Sequence, residues 1–322
     1  MGEIQSVIGP ISDENLGFVL AHEHVAASSP GILRSWPALC GGRDALVKRG
    51  VNALAAAKAA GVDSIVDCTT FDLGRDAELL AEVSRQSGMT ILASTGIWLD
   101  PSTTIRARTP EQLTDFFIGE LIDGIDGTPI RAAVIKVAHN ERVEGFGEVI
   151  LRAAASASLA TNAPIITHTA AAYRTGESQA AILEGCDVDP ARVAIGHSDD
   201  SKELDYLVGL ATRGYYIALD RLPNGALSEY GGQSVEDRIE MIVRLIESGF
   251  ADRILVGHDD PIWAGLLTDI DQQRHLAANP QMLEFVSRVV LPSLSNHGVS
   301  DELIRLITVE NPRRWISGKN SV

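Results

Sequence analysis

The sequence has 322 residues, of which 45% are hydrophobic and 22% charged, the composition of a folded globular protein and not of a disordered chain. Its 27 basic and 43 acidic residues leave a net charge of −16, which repels nucleic-acid phosphates and anionic membrane surfaces. With three widely separated cysteines, no basic and apolar leader and no long apolar stretch, we expect a cytoplasmic protein without disulfides, nucleic-acid partners or membrane partners.

Eight short apolar or β-branched runs, each ending in polar residues, are predicted to be strands. In chain order they span Gly17–His24, Ser64–Thr70, Met89–Gly96, Ala132–Ala138, Ala163–Thr169, Val193–Asp199, Tyr215–Arg221 and Arg253–Asp260. Helices are predicted between them, several ended by glycine, at Ala45–Ala60, Ala77–Gln86, Pro110–Ile125, Glu148–Thr161 and Val235–Gly249. The last stretch, Pro280–Trp315, is predicted to be helical and to pack against the strands.

The repeated order of strand and helix predicts an α/β fold. Near-continuous apolar strands are typical of a parallel sheet buried on both faces, and eight such units close naturally into a (β/α)8 TIM barrel. An open doubly wound sheet is the alternative, but no GxGxxG turn follows the first strand. Since no linker or repeat divides the chain, we expect a single domain over residues 1–322.

Histidines and a carboxylate stand at the ends of four predicted strands, where a TIM barrel places its active site. His22 and His24 end the first strand, and their i, i+2 spacing directs both side chains to one side. His168, His197 and Asp259 lie at the ends of the fifth, sixth and eighth strands. Hydrogen-bonded histidines would explain an isolated HxH pair, but four convergent strand ends favour a metal site.

Lys136 interrupts the otherwise apolar run Val134–Val137. An unpaired ammonium is costly to bury, so the pKa of this lysine should fall or a partner should neutralise its charge. An ion pair with a buried carboxylate is one explanation. The other is carbamylation, in which the neutral amine takes up carbon dioxide and becomes a carboxylate that can bridge two metal ions.

Together these motifs make the chain resemble the phosphotriesterase family of the amidohydrolase superfamily over nearly its whole length. The segments that carry the resemblance are Ala21-His22-Glu23-His24, Thr95-Gly96-Ile97-Trp98-Leu99-Asp100-Pro101, Ile135-Lys136-Val137-Ala138, Thr167-His168-Thr169-Ala170 and Ile195-Gly196-His197-Ser198-Asp199-Asp200.

The resemblance implies a binuclear metal centre at these strand ends. In that family the residues matching His22, His24 and Asp259 hold the more buried ion. Those matching His168 and His197 hold the more exposed one. The lysine matching Lys136 is carbamylated and bridges the two. We expect zinc in both positions, with cobalt, iron and manganese as alternatives, because nitrogen and oxygen ligands do not decide among them.

The activity implied is hydrolysis of small neutral esters, with phosphotriesters as the first class of substrate. A hydroxide shared by the two ions would attack the phosphorus or carbonyl centre, and Asp259 would accept its proton. Trp98 resembles a pocket tryptophan of the family, although it could equally belong to the core at the top of the barrel. The resemblance also implies a homodimer.

Arg221 departs from the family's organophosphate hydrolases, which have histidine at this position in a proton relay to the aspartate matching Asp200. Arginine does not release a proton at neutral pH, so we expect Arg221 to position substrate or to hold Asp200. A salt bridge with Asp199, Asp200 or Asp220 is the structural alternative. Lactonases of the family usually have arginine here.

Two further departures concern the substrate pocket. The connection from Asp220 to Asp259 is shorter than in the organophosphate hydrolases. Asp260-Pro261 replaces an aromatic residue that follows the metal-bound aspartate, and Trp263 is a candidate replacement wall. A lactonase, including one for acyl-homoserine lactones, is therefore the alternative function, with phosphotriester cleavage as a side activity. A non-catalytic barrel that only binds a partner is a more remote alternative.

The remaining histidines are assigned no role. His139, His275 and His297 are predicted to lie solvated in loops or helix ends. His258 alternates with Asp259 and is expected to face away from the metals.

Overall fold

Eight parallel strands form one sheet in the computed structural model, which describes residues 2–99, 101–223 and 232–319. The strands are β3 (Val19–Glu23), β4 (Ser64–Asp67), β5 (Thr90–Ile97), β6 (Val134–Ala138), β7 (Ile165–His168), β8 (Val193–Ile195), β9 (Tyr216–Leu219) and β10 (Ile254–Val256). Each strand pairs with the next along the chain. A short antiparallel hairpin, β1 (Glu3–Ser6) and β2 (Gly9–Ser12), precedes them.

The last strand returns to the first, which closes the sheet into a barrel. The amide N–H of Asp259 donates to the carbonyl oxygen of His22 at 3.1 Å, and that of Ile262 donates to the carbonyl of His24 at 2.9 Å. His24 also forms an isolated parallel bridge with Pro261. The predicted (β/α)8 TIM barrel is therefore confirmed.

Side chains alternate between two hydrophobic cores along each strand, as the period of a β-strand requires. One set fills the interior of the barrel: Val19, Ala21, Val66, Leu92, Val134, Ile166, Ala194, Ala218 and Leu255. The other set packs against the surrounding helices: Leu20, Ile65, Ile91, Ile135, Ile165, Val193, Ile217 and Ile254. Burial on both faces explains why the strands are almost entirely apolar.

Helices cover the outside of the barrel at the predicted places, with ends that differ by at most three residues from the predicted ones. The longer ones are α2 (Arg43–Ala59), α3 (Ala77–Ser87), α5 (Pro110–Ile122), α6 (Phe146–Thr161), α7 (Thr175–Glu184), α8 (Leu204–Thr212), α9 (Val235–Glu247) and α10 (Asp269–Ala278). Helices α7, α8 and α10 were not predicted. Helices α7 and α8 begin without a side-chain cap, so the usual start signal is missing from the sequence.

The C-terminal stretch is helical, as predicted, and its last helix packs at the amino-terminal end of the barrel. The stretch includes α11 (Leu291–Asn296), α12 (Asp301–Arg305) and α13 (Asn311–Ser317), with one π-helical turn before α11 and another between α12 and α13. Trp315 packs with Ile4 and Leu16 under the barrel interior. The Asn311 side chain donates to the carbonyl oxygens of Ala251 and Ile254, each at 2.8 Å, and so ties α13 to the start of β10.

The short helices α1 (Ile32–Ser35) and α4 (Thr103–Arg106) lie in the connections that follow β3 and β5. Within the described ranges, the apolar length needed to cross a bilayer is not reached by any helix.

Gly96 lies where two strands approach too closely for a side chain. It pairs with Lys136 in the register of β5 and β6, and its φ is +117°. A Cβ atom at this position would lie 1.8 Å from the carbonyl oxygen of Lys136. Only glycine fits this position without a backbone shift.

We expect Gly96→Ala to lower the free energy of unfolding by about 3 kcal/mol or more, because the new methyl group combines backbone strain with overpacking. Gly119→Ala, at an open position in α5, is the matched control and should be neutral or stabilising by up to about 1 kcal/mol. Urea denaturation of both variants measures the difference. Equal stability of Gly96→Ala and the wild type would contradict the close approach.

Candidate metal centre

The structure brings the predicted ligand residues together at the carboxyl ends of the strands. His22 and His197 are fully buried, Lys136 is 1% exposed and His24 is 7% exposed. His168 and Asp259 are partly open, and 17% of the Asp259 side chain is exposed. The group therefore lies at the floor of the barrel opening, where a solute can reach Asp259.

Backbone irregularities turn two of the histidines inward. The register between β3 and β4 shifts between Leu20 and Glu23, so both Ala21 and His22 face the interior. His197 has a φ of +54°, a left-handed conformation that is uncommon for a residue other than glycine. Without these two features, simple alternation would direct His22 and His197 toward the helices.

Asp220 holds two of the imidazole rings in place. Its Oδ2 accepts from Nδ1 of His22 at 2.7 Å, and its Oδ1 accepts from Nδ1 of His197 at 2.9 Å. The same Oδ1 accepts from the backbone N–H of His197 at 2.7 Å. These bonds fix both tautomers and direct each Nε2 inward, as carboxylates do behind metal-bound histidines.

Asp220 is a site residue that was expected from the sequence only as a possible partner of Arg221. The strand period does indicate an inward side chain for Asp220, because this residue lies two positions after Ala218 on the inward face of β9. What could not be read from the sequence was that two distant histidines share this one carboxylate.

The inward nitrogen and oxygen atoms face one another at short distances. Nε2 of His22 and Nε2 of His24 each lie 3.2 Å from Oδ1 of Asp259. Nε2 of His197 lies 2.8 Å from Nδ1 of His168. His22, His197 and Asp259 offer ligand atoms that all lie within 4.8 Å of one another. This donor set fits a divalent cation such as zinc.

Burial and neighbouring charges keep these groups in the protonation states that metal ligands need. Burial, together with the charge of Lys136, lowers the pKa of His22 to about 3, so its imidazole is neutral at pH 7. Burial and the nearby His197 lower the pKa of His168 well below its usual value. Burial alone would raise the pKa of Asp259, but His22 and His197 hold it well below the usual range.

Lys136 points into the same space. Its Nζ lies 3.2 Å from Nε2 of His22, and among the described residues no carboxylate oxygen lies within the 4.0 Å of an ion pair. Burial lowers the pKa of this amine, which favours the neutral form. The ion pair considered as an alternative for Lys136 is not found in the described part of the chain.

Arg221 links Asp259 to a second group of buried charges. Its Nε donates to Oδ2 of Asp259 at 3.1 Å, and its Nη1 donates to Oδ2 of Asp200 at 2.5 Å. Arg238 of α9, which is fully buried, donates to Oδ1 of Asp200 at 2.8 Å and to Oδ2 of Asp199 at 2.5 Å. Arg238 was not singled out from the sequence, where it is one charged residue of an amphipathic helix.

Trp98 and Trp263, the two tryptophans predicted to line the substrate pocket, lie in different surroundings. Trp98 is half-buried at the end of β5, and its ring meets that of His168 edge to face, 6.2 Å between centroids. Trp98 therefore stands beside the candidate metal centre. Trp263 is 3% exposed and packs in the core, so it offers little surface to a substrate, and its role as a wall stays a prediction.

The prediction of solvated loop histidines is wrong for two of three residues. His139 is 3% exposed because its Nε2 donates to the carbonyl of Gly147 and its Nδ1 accepts from Gln179. His275 is 9% exposed and lies 4.0 Å from Asp260. His297 is exposed as expected. The hydrophobic period and the residue spacing of the sequence did not show that His139 and His275 are buried.

Two features named from the sequence cannot be placed. Asp100, part of one resembling segment, and residues 224–231, within the shortened connection from Asp220 to Asp259, lie outside the described residues.

Comparison with known proteins finds relatives over nearly the whole length of this chain. The model of the phosphotriesterase family matches residues 2–316. A phosphotriesterase homology protein of Mycobacterium tuberculosis is 34% identical, with 98% of this chain and 97% of the relative aligned. An aryldialkylphosphatase of Saccharolobus solfataricus is 33% identical over 95% of this chain and 97% of its own length.

A more distant relative is the N-acetyltaurine hydrolase of Xenopus tropicalis, 26% identical over 99% of both chains. Relatives with different named substrates thus share the whole length of this barrel, and their names point to a hydrolase. The family model covers nearly the whole chain, and the first two of these relatives are more than 30% identical to it. This chain therefore belongs to the phosphotriesterase family.

Proposed function

We propose that this protein is a binuclear metal-dependent hydrolase of small uncharged esters, with phosphotriesters as its first class of substrate. The observation that carries the proposal is the convergence of His22 and His24 on one carboxylate oxygen, because Nε2 of each histidine lies 3.2 Å from Oδ1 of Asp259. The named activity of the aryldialkylphosphatase relative supports the substrate class. The homodimer and the cytoplasmic location stay predictions.

The chain supplies suitable ligands for two ions. His22, His24 and Asp259 would hold the more buried ion. His168 and His197, whose ring nitrogens lie 2.8 Å apart, would hold the other. Lys136 would join the two positions as a carbamate, which its buried amine, with a pKa lowered by burial, can form by adding carbon dioxide and releasing a proton. When bound, two divalent ions lower the pKa of a water molecule and polarise the ester oxygen.

The residues around the site would orient the substrate and handle the proton. Asp259 is the carboxylate placed to accept a proton from an attacking water, because it lies among the candidate ligands with 17% of its side chain exposed. Arg221 would not relay that proton, because a guanidinium stays charged at neutral pH. Its bonds to Asp259 and Asp200 support a positioning role instead.

Trp98 would line the apolar side of the pocket. Its half-buried ring faces His168. The backbone N–H of Trp98 donates to both carboxylate oxygens of Asp72, at 2.8 and 2.9 Å, and so holds the residue in place. An apolar wall beside the ligands suits an uncharged ester.

Lactone hydrolysis is the second candidate function, and Arg221 is the observation that favours it. The arginine occupies the position at which lactonases of the family carry this residue, and in the structure it reaches the candidate metal ligand Asp259 at 3.1 Å. An N–H donor beside the reacting centre suits a ring carbonyl or an ester oxygen equally well.

Steady-state kinetics on paraoxon and on matched γ- and δ-lactones separates the two candidates. We expect a larger kcat/KM for paraoxon in protein prepared with zinc and bicarbonate. A much larger kcat/KM for the lactones would replace the first candidate with the second. Activity on neither class, in protein that carries two metal ions, would contradict both.

Lys136→Ala tests the bridging carbamate. We expect kcat/KM to fall by at least about 100-fold, because both ions lose a shared ligand, and short carboxylates such as acetate and propionate to restore part of it. Lys58→Ala, which removes an exposed lysine from α2, is the control and should keep full activity with no response to acetate. Wild-type activity in Lys136→Ala would rule the bridge out.

A further inference from the structure

Glu23 and His258 form a buried pair on the side of the barrel wall that faces away from the candidate metal centre. Glu23 is the middle residue of the His22–His24 segment, and His258 precedes Asp259. Both are fully buried. Oε1 of Glu23 accepts from Nδ1 of His258 at 2.6 Å and from the backbone N–H of the same residue at 3.0 Å.

The histidine of this pair has no lone pair left for a metal. Its Nδ1 donates to Glu23, and its Nε2 accepts from the backbone N–H of Val286 at 3.1 Å. These partners assign the tautomer and use both ring nitrogens. His258 therefore connects β3, β10 and the helical turn Val286–Val290 without reaching the metal side of the wall.

Asp259 needs such support because its backbone is held in an unfavourable conformation. Its φ is +49°, in the left-handed region that residues other than glycine seldom occupy. That conformation turns the carboxylate inward, so that Oδ1 lies 3.2 Å from Nε2 of His22 and of His24. A conformation of this kind persists only where neighbouring contacts determine it.

The pair supplies those contacts on both sides of the junction. Glu23 lies between the two histidines, so fixing Glu23 fixes the segment that carries them. His258 is the residue before Asp259 in the chain, so a fixed His258 also restricts the residue that carries the carboxylate. The N–H of Asp259 also donates to the carbonyl of His22 at 3.1 Å, which completes the connection.

The buried carboxyl group of Glu23 lowers the stability of the fold more than an apolar side chain at this position would. Among the described residues its second oxygen, Oε2, has no hydrogen-bond partner although it is buried. A buried acceptor without a partner lowers stability, and an apolar residue of similar size would avoid that cost.

We propose that Glu23 and His258 are positioning residues that set the separation between Asp259 and the two histidines of the first strand, and thereby the metal affinity of that position. This inference rests on the proposed function. It concerns the assembly of the ligand set and not the chemical step, so its test is metal binding and not activity.

The experiment titrates zinc into the metal-free protein in competition with a chromophoric chelator, with bicarbonate present. The variants are Glu23→Leu, His258→Leu and the double variant. We expect each single variant to weaken one of the two zinc sites about tenfold, as loss of outer contacts does in metal proteins, and to leave the other site unchanged. The double variant should lose no more affinity than the worse single variant, because both changes remove one interaction.

Asn311→Leu is the matched control. Like the pair, Asn311 is fully buried and ties the last strand to a helix, but at the opposite end of the barrel, through bonds to Ala251 and Ile254. It should lower the Tm of the metal-free protein and leave both zinc affinities within twofold of the wild type. An equal loss of zinc affinity in this control would show general loosening and overturn the proposal.

Glu23→Gln keeps the test decisive if Glu23→Leu does not fold. Its amide oxygen can accept both N–H bonds from His258, so zinc affinity should stay within threefold of the wild type. A tenfold loss in this variant would assign the effect to charge and overturn the positioning role. Wild-type affinity in Glu23→Leu or His258→Leu would do so too. A wild-type protein that binds no zinc would instead overturn the proposed function, and this inference with it.

Discussion

Buried imidazole and carboxylate groups converge at the carboxyl end of this barrel. Neutral His22 presents the lone pair of Nε2 to Oδ1 of Asp259 at 3.2 Å, and Nε2 of His24 lies within hydrogen-bond distance of the same oxygen, also at 3.2 Å. Two acceptor atoms that face each other in a buried site, as those of His22 and Asp259 do, need a positive charge beside them. The rest of the site is arranged to keep them there.

That arrangement is organised in layers around the inward atoms. Asp220 fixes the tautomers of His22 and His197. Arg221 balances the outer oxygen of Asp259, and its own charge is balanced by Asp200. Behind the wall, Glu23 and His258 connect the first and last strands. Loss of any outer member would leave a buried group without its partner, which is costly in a low dielectric.

Regular features of the chain were readable from the sequence, and irregular ones were not. Alternation along β6 and β7 places Lys136 and His168 on the inward face, and the repeated strand and helix pattern leads directly to the barrel. The inward direction of His22 depends on a register shift, and that of His197 on a left-handed backbone. The sequence indicated these two histidines by their places at strand ends and by the resemblance, but residue types do not show the backbone features that turn them inward.

Anomalous diffraction at the zinc edge, from crystals grown with zinc and bicarbonate, tests the metal centre most directly. We expect two peaks at the carboxyl end of the barrel. One should lie about 2.0–2.2 Å from ligand atoms of His22, His24 and Asp259, and the other at similar distances from His168 and His197. Density continuous with Lys136 should reach both. Crystals with no peak among these residues, and direct or water-mediated bonds between their side chains, would contradict it.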